Sequence, residues 1–252
     1  MSQDHVMLCR ALADKDKEFL LENFDGSGVR EQEEDDDIDI GSEKWKYKYP
    51  KGSTLTWKLI SDTDDFLHKR NLIRSFVICF RDIGLRCKLK FRRERDESRE
   101  TDITIEFTHD MTVFDNRPSV LAQAYLYYPG SRFNGVQQWN DNHFFTAYGD
   151  PVNAHRVDPT NYPDPNTTVT LKSQPLIHIA MHETMHTLGF RHDLNERDAV
   201  LYPYVKDPSH PHAFIFHERD LWRLIKAYEY RGISGRILAY FLNRRLARHD
   251  FR

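Results

Sequence analysis

At 252 residues, 39% hydrophobic and 30% charged, the chain is long enough for one substantial globular domain with extensions. Its net charge of −3 gives no global attraction to nucleic acid, and no nucleic-acid partner is expected. Three cysteines, Cys9, Cys79 and Cys87, are too few and odd in number for a disulfide framework.

Residues up to Phe24 read as a weak helix with Leu8, Leu12, Phe19 and Leu20 as its apolar positions. The first residues lack an apolar signal core, and no stretch is long enough to span a membrane. The expected location is cytoplasmic, or outside the cell by a non-classical route, unless a signal precedes this sequence. Asp25-Gly26-Ser27-Gly28 breaks the helix, and Glu31 to Asp39 is a self-repelling acidic linker. A folded domain begins at Trp45. Leu55 to Leu59 alternates like a strand. Phe66 to Phe80 is an amphipathic helix with Leu72, Phe76 and Phe80 facing inward. Strands follow at Lys88 to Phe91, Ile103 to Phe107, Val120 to Tyr127 and Val136 to Phe145. Cys79 falls on the helix and Cys87 on the strand after it, leaving a single bridge or two buried thiols.

Ala147 to Lys172 is rich in proline and asparagine and reads as a loop or insertion. The glycosylation pattern Asn166-Thr167-Thr168 within it is taken as chance. A buried helix spans Leu176 to Leu188, with Ser173 as N-cap and Pro175 in the first turn. Glu218 to Tyr230 is another helix, packed by Leu221, Leu224, Ile225 and Tyr228. A final basic helix, Ile233 to Ala247, carries Ile237, Leu238, Phe241, Leu242 and Leu246 on one side. It suits a peripheral membrane or protein contact, or packing on the preceding domain with its arginines solvated.

The buried helix carries the chemistry. It contains the run His182-Glu183-Thr184-Met185-His186-Thr187-Leu188-Gly189-Phe190-Arg191-His192. Histidines four apart project from one helix face, close enough to grip one ion. Gly189 takes positive φ cheaply, so the chain turns and His192 returns as a third ligand. Glu183, beside the first ligand, reaches a water in the open fourth position. Five fixed positions would arise by chance in roughly one in ten thousand chains of this composition. One catalytic zinc is therefore expected. Metal-bound water loses its proton to Glu183, which later protonates the leaving group. A structural zinc would have four protein ligands and no need of Glu183.

The motif resembles that of the metzincin zinc endopeptidases, and its flanks resemble the matrixin (matrix-metalloproteinase-like) branch. Ala199-Val200-Leu201-Tyr202-Pro203-Tyr204 is similar to the matrixin Met-turn and the start of its specificity-pocket wall. Val120 to Tyr125 with Tyr128-Pro129-Gly130 resembles the strand facing the cleft, and Gly135 to Thr146 the next strand. The likeness runs from Ser42 to Tyr230. It implies an α+β zincin/metzincin fold: a twisted mixed sheet of about five strands with long helices, one bearing the active site. It implies metalloendopeptidase activity on protein or peptide substrates, bound by strand addition to the edge strand, taken as Val136 to Phe145. The chain then divides into 1–41, a helix and acidic linker; 42–231, the catalytic domain; and 232–252, the basic helix. A catalytically weak zincin-fold binding module is the alternative function.

Departures from the family matter too. Leu201 stands where the Met-turn has methionine, an apolar change of similar size. The family's second zinc would fall on Thr108, Asp110, Gln123 and Gln138, which offer only one ligand of the right kind. The loop from His109 to Pro118 must then be held by packing and hydrogen bonds. Asn140, Asn142 and His143 replace calcium-binding acids, so calcium stays open. Asp193 is closer to adamalysins, and Gly189 to His192 to astacins. Tyr202 and Tyr204 are read as pocket wall, with an oxyanion donor as the second option. His178 is a core residue, His210, His212 and His217 surface residues, and Cys9 a free thiol. His109 and His143 with Asp110 form a shifted second metal site only if the register of that loop slips.

Overall fold

The computed structural model describes residues 49–229 apart from 64, 66–68, 127–131, 147–154, 158–169, 173, 194 and 204–215; for 155–157 and 170–172 only the backbone is described. The weak N-terminal helix, the acidic linker, Cys9, Asn166 and the basic helix lie outside this set. So do Tyr128-Pro129-Gly130, Ser173, Tyr204, His210 and His212.

A five-stranded sheet forms the centre of the fold. Its strands are β1 (Thr54–Leu59), β2 (Lys90–Arg93), β3 (Ile103–Thr108), β4 (Ala122–Ala124) and β5 (Val136–Asn140). Their spatial order is β2-β1-β3-β5-β4, and only β4 runs antiparallel to its neighbour. The period-2 pattern explains the layering. Ile103, Ile105 and Phe107 are buried, while Thr104, Glu106 and Thr108 stay half exposed on the other face. Helices α1 (Lys69–Arg86) and α2 (Leu176–Thr187) pack together and on the sheet. Between them sits an aromatic cluster. Trp139 meets Phe76 edge-on at 5.4 Å and Phe107 stacked at 5.4 Å, and Trp57 lies 5.0 Å from Phe80. This is an α+β architecture with a mixed five-stranded sheet, as the resemblance implied.

The edge strand is β4, not Val136 to Phe145 as read from the sequence. The chain leaves β3, forms β4 outside, then turns back so that β5 lies between them. Gln137 and Trp139 of β5 are accordingly fully buried. The predicted strand is also broken in two. Phe145–Thr146 (β6) pairs parallel with Gln174–Pro175 (β9) in a separate small sheet. Extended backbone therefore persists through Pro175, which becomes the N-cap residue of α2 rather than part of its first turn. The segment read as loop contains a short antiparallel pair, β7 (His155–Val157) with β8 (Thr170–Lys172).

Helix α1 runs six residues beyond the expected Phe80. Ile83 stays buried, and Arg86 pairs with buried Asp82 one turn back at 3.0 Å. Cys87 follows this helix directly, in a single β-bridge ahead of β2, its thiol donating to Ile83 O at 3.4 Å. Eight residues of helical rise separate Cys79 from Cys87, about 12 Å, beyond disulfide reach. Both are free, buried thiols. Gly135 enters β5 at φ +82°, where an added Cβ would lie 1.9 Å from Asp102 O, so only glycine fits this close approach.

Candidate metal centre

Helix α2 is buried on every side, as its apolar residues predict, and carries His182 and His186 one turn apart. Leu188 caps the helix, and Gly189 takes φ +98°. That left-handed step lets Gly189 N–H bond His186 O at 2.8 Å and Phe190 N–H bond Met185 O at 3.1 Å. The chain then delivers His192. The three imidazoles offer ligand atoms that all lie within 4.8 Å of one another, and among the described residues they are the one such three-member group. His182 Nε2 stands 2.9 Å from His186 Nε2 and 3.2 Å from His192 Nε2.

The outer nitrogens decide what faces inward. His182 Nδ1 lies 2.7 Å from Val200 O, and His186 Nδ1 lies 2.6 Å from Phe190 O. A carbonyl only accepts, so each Nδ1 carries the proton and each Nε2 turns a lone pair inward. Converging lone pairs repel unless a cation sits among them. The donor set therefore fits zinc, which takes neutral imidazole nitrogen in three-histidine sites with one open position. Burial also keeps the rings neutral. It pushes His182 well below the usual imidazole value, His186 down to about 4 and His192 down to about 2, with the neighbouring imidazoles adding to the effect at His182 and His192.

Glu183 is fully buried beside His182 on α2. Leu201 is buried in the core below, and its carbonyl accepts from Asp193 N–H at 3.0 Å. Tyr202 follows it, half buried, in the turn closed by its own N–H to Ala199 O at 3.2 Å. Gln137 of β5 reaches α2 and donates to Thr187 Oγ1 at 3.0 Å, tying helix to sheet. His178 is buried one turn before His182, outside the three-imidazole group.

Among the described residues no second imidazole group gathers around Asp110. Gln123 Nε2 donates to Gln138 Oε1 at 2.9 Å and to Val113 O at 3.0 Å. Asp110 caps the 3₁₀ turn Met111–Phe114 through Thr112 N–H at 2.9 Å. His143 Nε2 bonds Pro118 O at 2.6 Å, Asn140 Nδ2 donates to Val120 O at 2.8 Å, and Asn142 Nδ2 donates to His109 O at 3.2 Å. The loop is thus held by side-chain amides and an imidazole on its backbone carbonyls. His109 instead meets Asp141 at 3.3 Å.

Sequence reasoning missed the support beneath the three-imidazole group. Helix α3 (Glu218–Tyr228) is capped by His217, whose ring nitrogen accepts from Arg219 N–H at 3.3 Å. His217 is therefore a half-buried helix cap. Asp220 returns the bond to His217 N–H at 3.1 Å and also takes Val200 N–H at 2.7 Å. The pattern of a polar residue three before an acid, ahead of an apolar run, was the available signal. A family model described as matrixin matches residues 44–229. No curated protein matches the chain.

Proposed function

From its membership of the matrixin family, whose model spans residues 44–229, we propose that this chain is a zinc-dependent endopeptidase. The convergence of three Nε2 atoms on one point, two of them on buried rings and the third on the half-buried His192, is the observation that carries the proposal. His182, His186 and His192 would hold the ion. Zinc supplies Lewis acidity toward an attacking water and the scissile carbonyl. The Glu183 carboxylate takes the water's proton and passes it to the leaving amine nitrogen. Leu201 packs beneath the centre in place of the Met-turn methionine. Tyr202 and Tyr204 wall the pocket, and an oxyanion donor role is the alternative for either. Protein or peptide substrate binds extended along β4, the antiparallel edge of the sheet. The catalytic unit is 42–231, flanked by the segments 1–41 and 232–252.

Incubation with a mixed peptide library, read by mass spectrometry, tests this directly. Cleavage should appear, stop with chelator and return with zinc. Leucine or another large apolar residue should dominate just past the scissile bond, because Val205, Phe214 and Ile215 follow the pocket-wall turn in sequence. Charged residues dominating there would refute the pocket. Chelator-insensitive cleavage would refute the zinc mechanism, and no cleavage with zinc bound would refute the enzyme and leave the binding-module alternative.

We also propose one tightly bound zinc per chain. The Gln123 and Gln138 carboxamides already satisfy each other and Val113 O, and zinc prefers nitrogen or sulfur donors. Metal analysis after mild dialysis should give a ratio near one. A ratio near two, reduced to one by replacing His109 and Asp110, would reveal a second site.

A further inference from the structure

His192 differs from the other two imidazoles. His182 and His186 are fixed by a buried helix and by Nδ1–H bonds to carbonyls. His192 stands on the loop after Gly189, and among the described residues its Nδ1 has no such acceptor. Among the described residues, its orientation comes from the backbone around it. The next residue, Asp193, is held on every side. Its N–H bonds Leu201 O at 3.0 Å. One carboxylate oxygen accepts Asn195 N–H at 3.1 Å and Glu196 N–H at 3.2 Å. The other meets Arg219 Nε at 3.0 Å and Arg223 Nη2 at 3.1 Å, both from α3. Asp193 and Arg223 are 1% and 2% exposed, so this pair is shielded from solvent and salt.

We propose that Arg219 and Arg223 of α3, acting through Asp193, are positioning residues that aim His192 and thereby set the metal affinity of the centre. The inference rests on the zinc reading above. A buried ion pair is a poor source of net stability, because desolvating both charges offsets their attraction. It does restrict geometry, since two guanidinium groups from one helix converge on the same carboxylate oxygen of Asp193, at 3.0 and 3.1 Å. The same helix also holds the other ligand segments. Asp220 grips Val200, whose carbonyl accepts from His182, and Tyr228 OH donates to Leu188 O at 2.8 Å just past His186. One rigid element therefore bears on all three imidazoles, and the Asp193 clamp serves the one for which the described residues offer no carbonyl acceptor.

The test is zinc affinity, measured by competition with a chromophoric chelator on chains confirmed folded by circular dichroism. Arg223→Met should weaken zinc binding roughly 10–100-fold, the usual effect of losing an outer partner of a metal ligand. The visible spectrum of the cobalt-substituted protein should shift, reporting altered ligand geometry. Arg223→Lys, which keeps the charge, should recover part of the affinity. Arg223→Met leaves a buried carboxylate unpaired and risks misfolding, so the double variant Asp193→Asn/Arg223→Met, with neither charge, is measured beside it. A merely structural pair would lower the melting temperature of the metal-free protein while zinc affinity and the cobalt spectrum stayed at parental values. That result in a folded variant would overturn the inference and leave the zinc site intact. A parent chain that takes up no zinc would overturn both.

Discussion

Glu183→Ala should reduce zinc-dependent peptide cleavage by at least about 10²–10⁴-fold, the usual contribution of a positioned general base, while the protein keeps its metal. The two effects separate because Glu183 and the ligands share a helix but not a task. His182, His186 and His192 keep their convergent Nε2 atoms when the carboxylate is gone, since their orientation comes from Val200 O and Phe190 O and from the loop carrying His192. Glu183 is fully buried on a helix packed against sheet and helix, so its position is set by the fold and not by a mobile loop. Alanine is also the best helix former, so α2 should not be weakened locally. Paired measurements of cleavage rate and bound zinc decide the matter. A variant that cleaves at the parental rate would show that the proton goes elsewhere, and one that loses zinc would place Glu183 among the ligands.

His186→Ala should abolish both zinc binding and cleavage. Removing one of three ligands should exceed the 10–100-fold loss typical of an outer partner, and it also strips Phe190 O of its donor. Zinc that binds only the folded chain raises stability by about 4 kcal/mol at a thousandfold excess over its dissociation constant. The parent should therefore melt at a higher temperature with zinc, and the variant should show no such shift. A persistent shift in the variant would mean that the ion sits elsewhere. Acid should weaken the parent in a predictable direction. Burial holds the three imidazoles below the unfolded value near 6.5. Above that value neither state binds these protons. Below it the unfolded chain takes them up first, so stability falls as pH drops through 6.5, and zinc is displaced in the same direction. A melting temperature that stays flat or rises from pH 7 to pH 5 would contradict this account of the buried rings.

How much of this was legible in the sequence follows from the range of the interactions involved. The three histidines proposed to hold zinc and Glu183 lie within eleven consecutive residues, and helical period plus one left-handed glycine bring them together. Those rules are local, so His182, Glu183, His186, Gly189 and His192 could be read without knowing the fold. The alternation of Ile103, Ile105 and Phe107 and the amphipathic course of α1 were local in the same sense. Other features depended on partners far along the chain. The burial of β5 between β3 and β4 follows from strand register, which no single segment specifies. Pro175 caps α2 because Phe145–Thr146, some thirty residues earlier, pairs with it and keeps it extended. Asp193 looked like a branch marker beside the motif; its pairing with Arg219 and Arg223 arises only once α3 packs against the loop bearing His192. Sequence by itself determined which side chains are proposed to hold zinc and move a proton, because they sit on one helix and its exit turn. Only the tertiary structure decided what aims those atoms, because aiming requires buried contacts between segments that the chain brings together late.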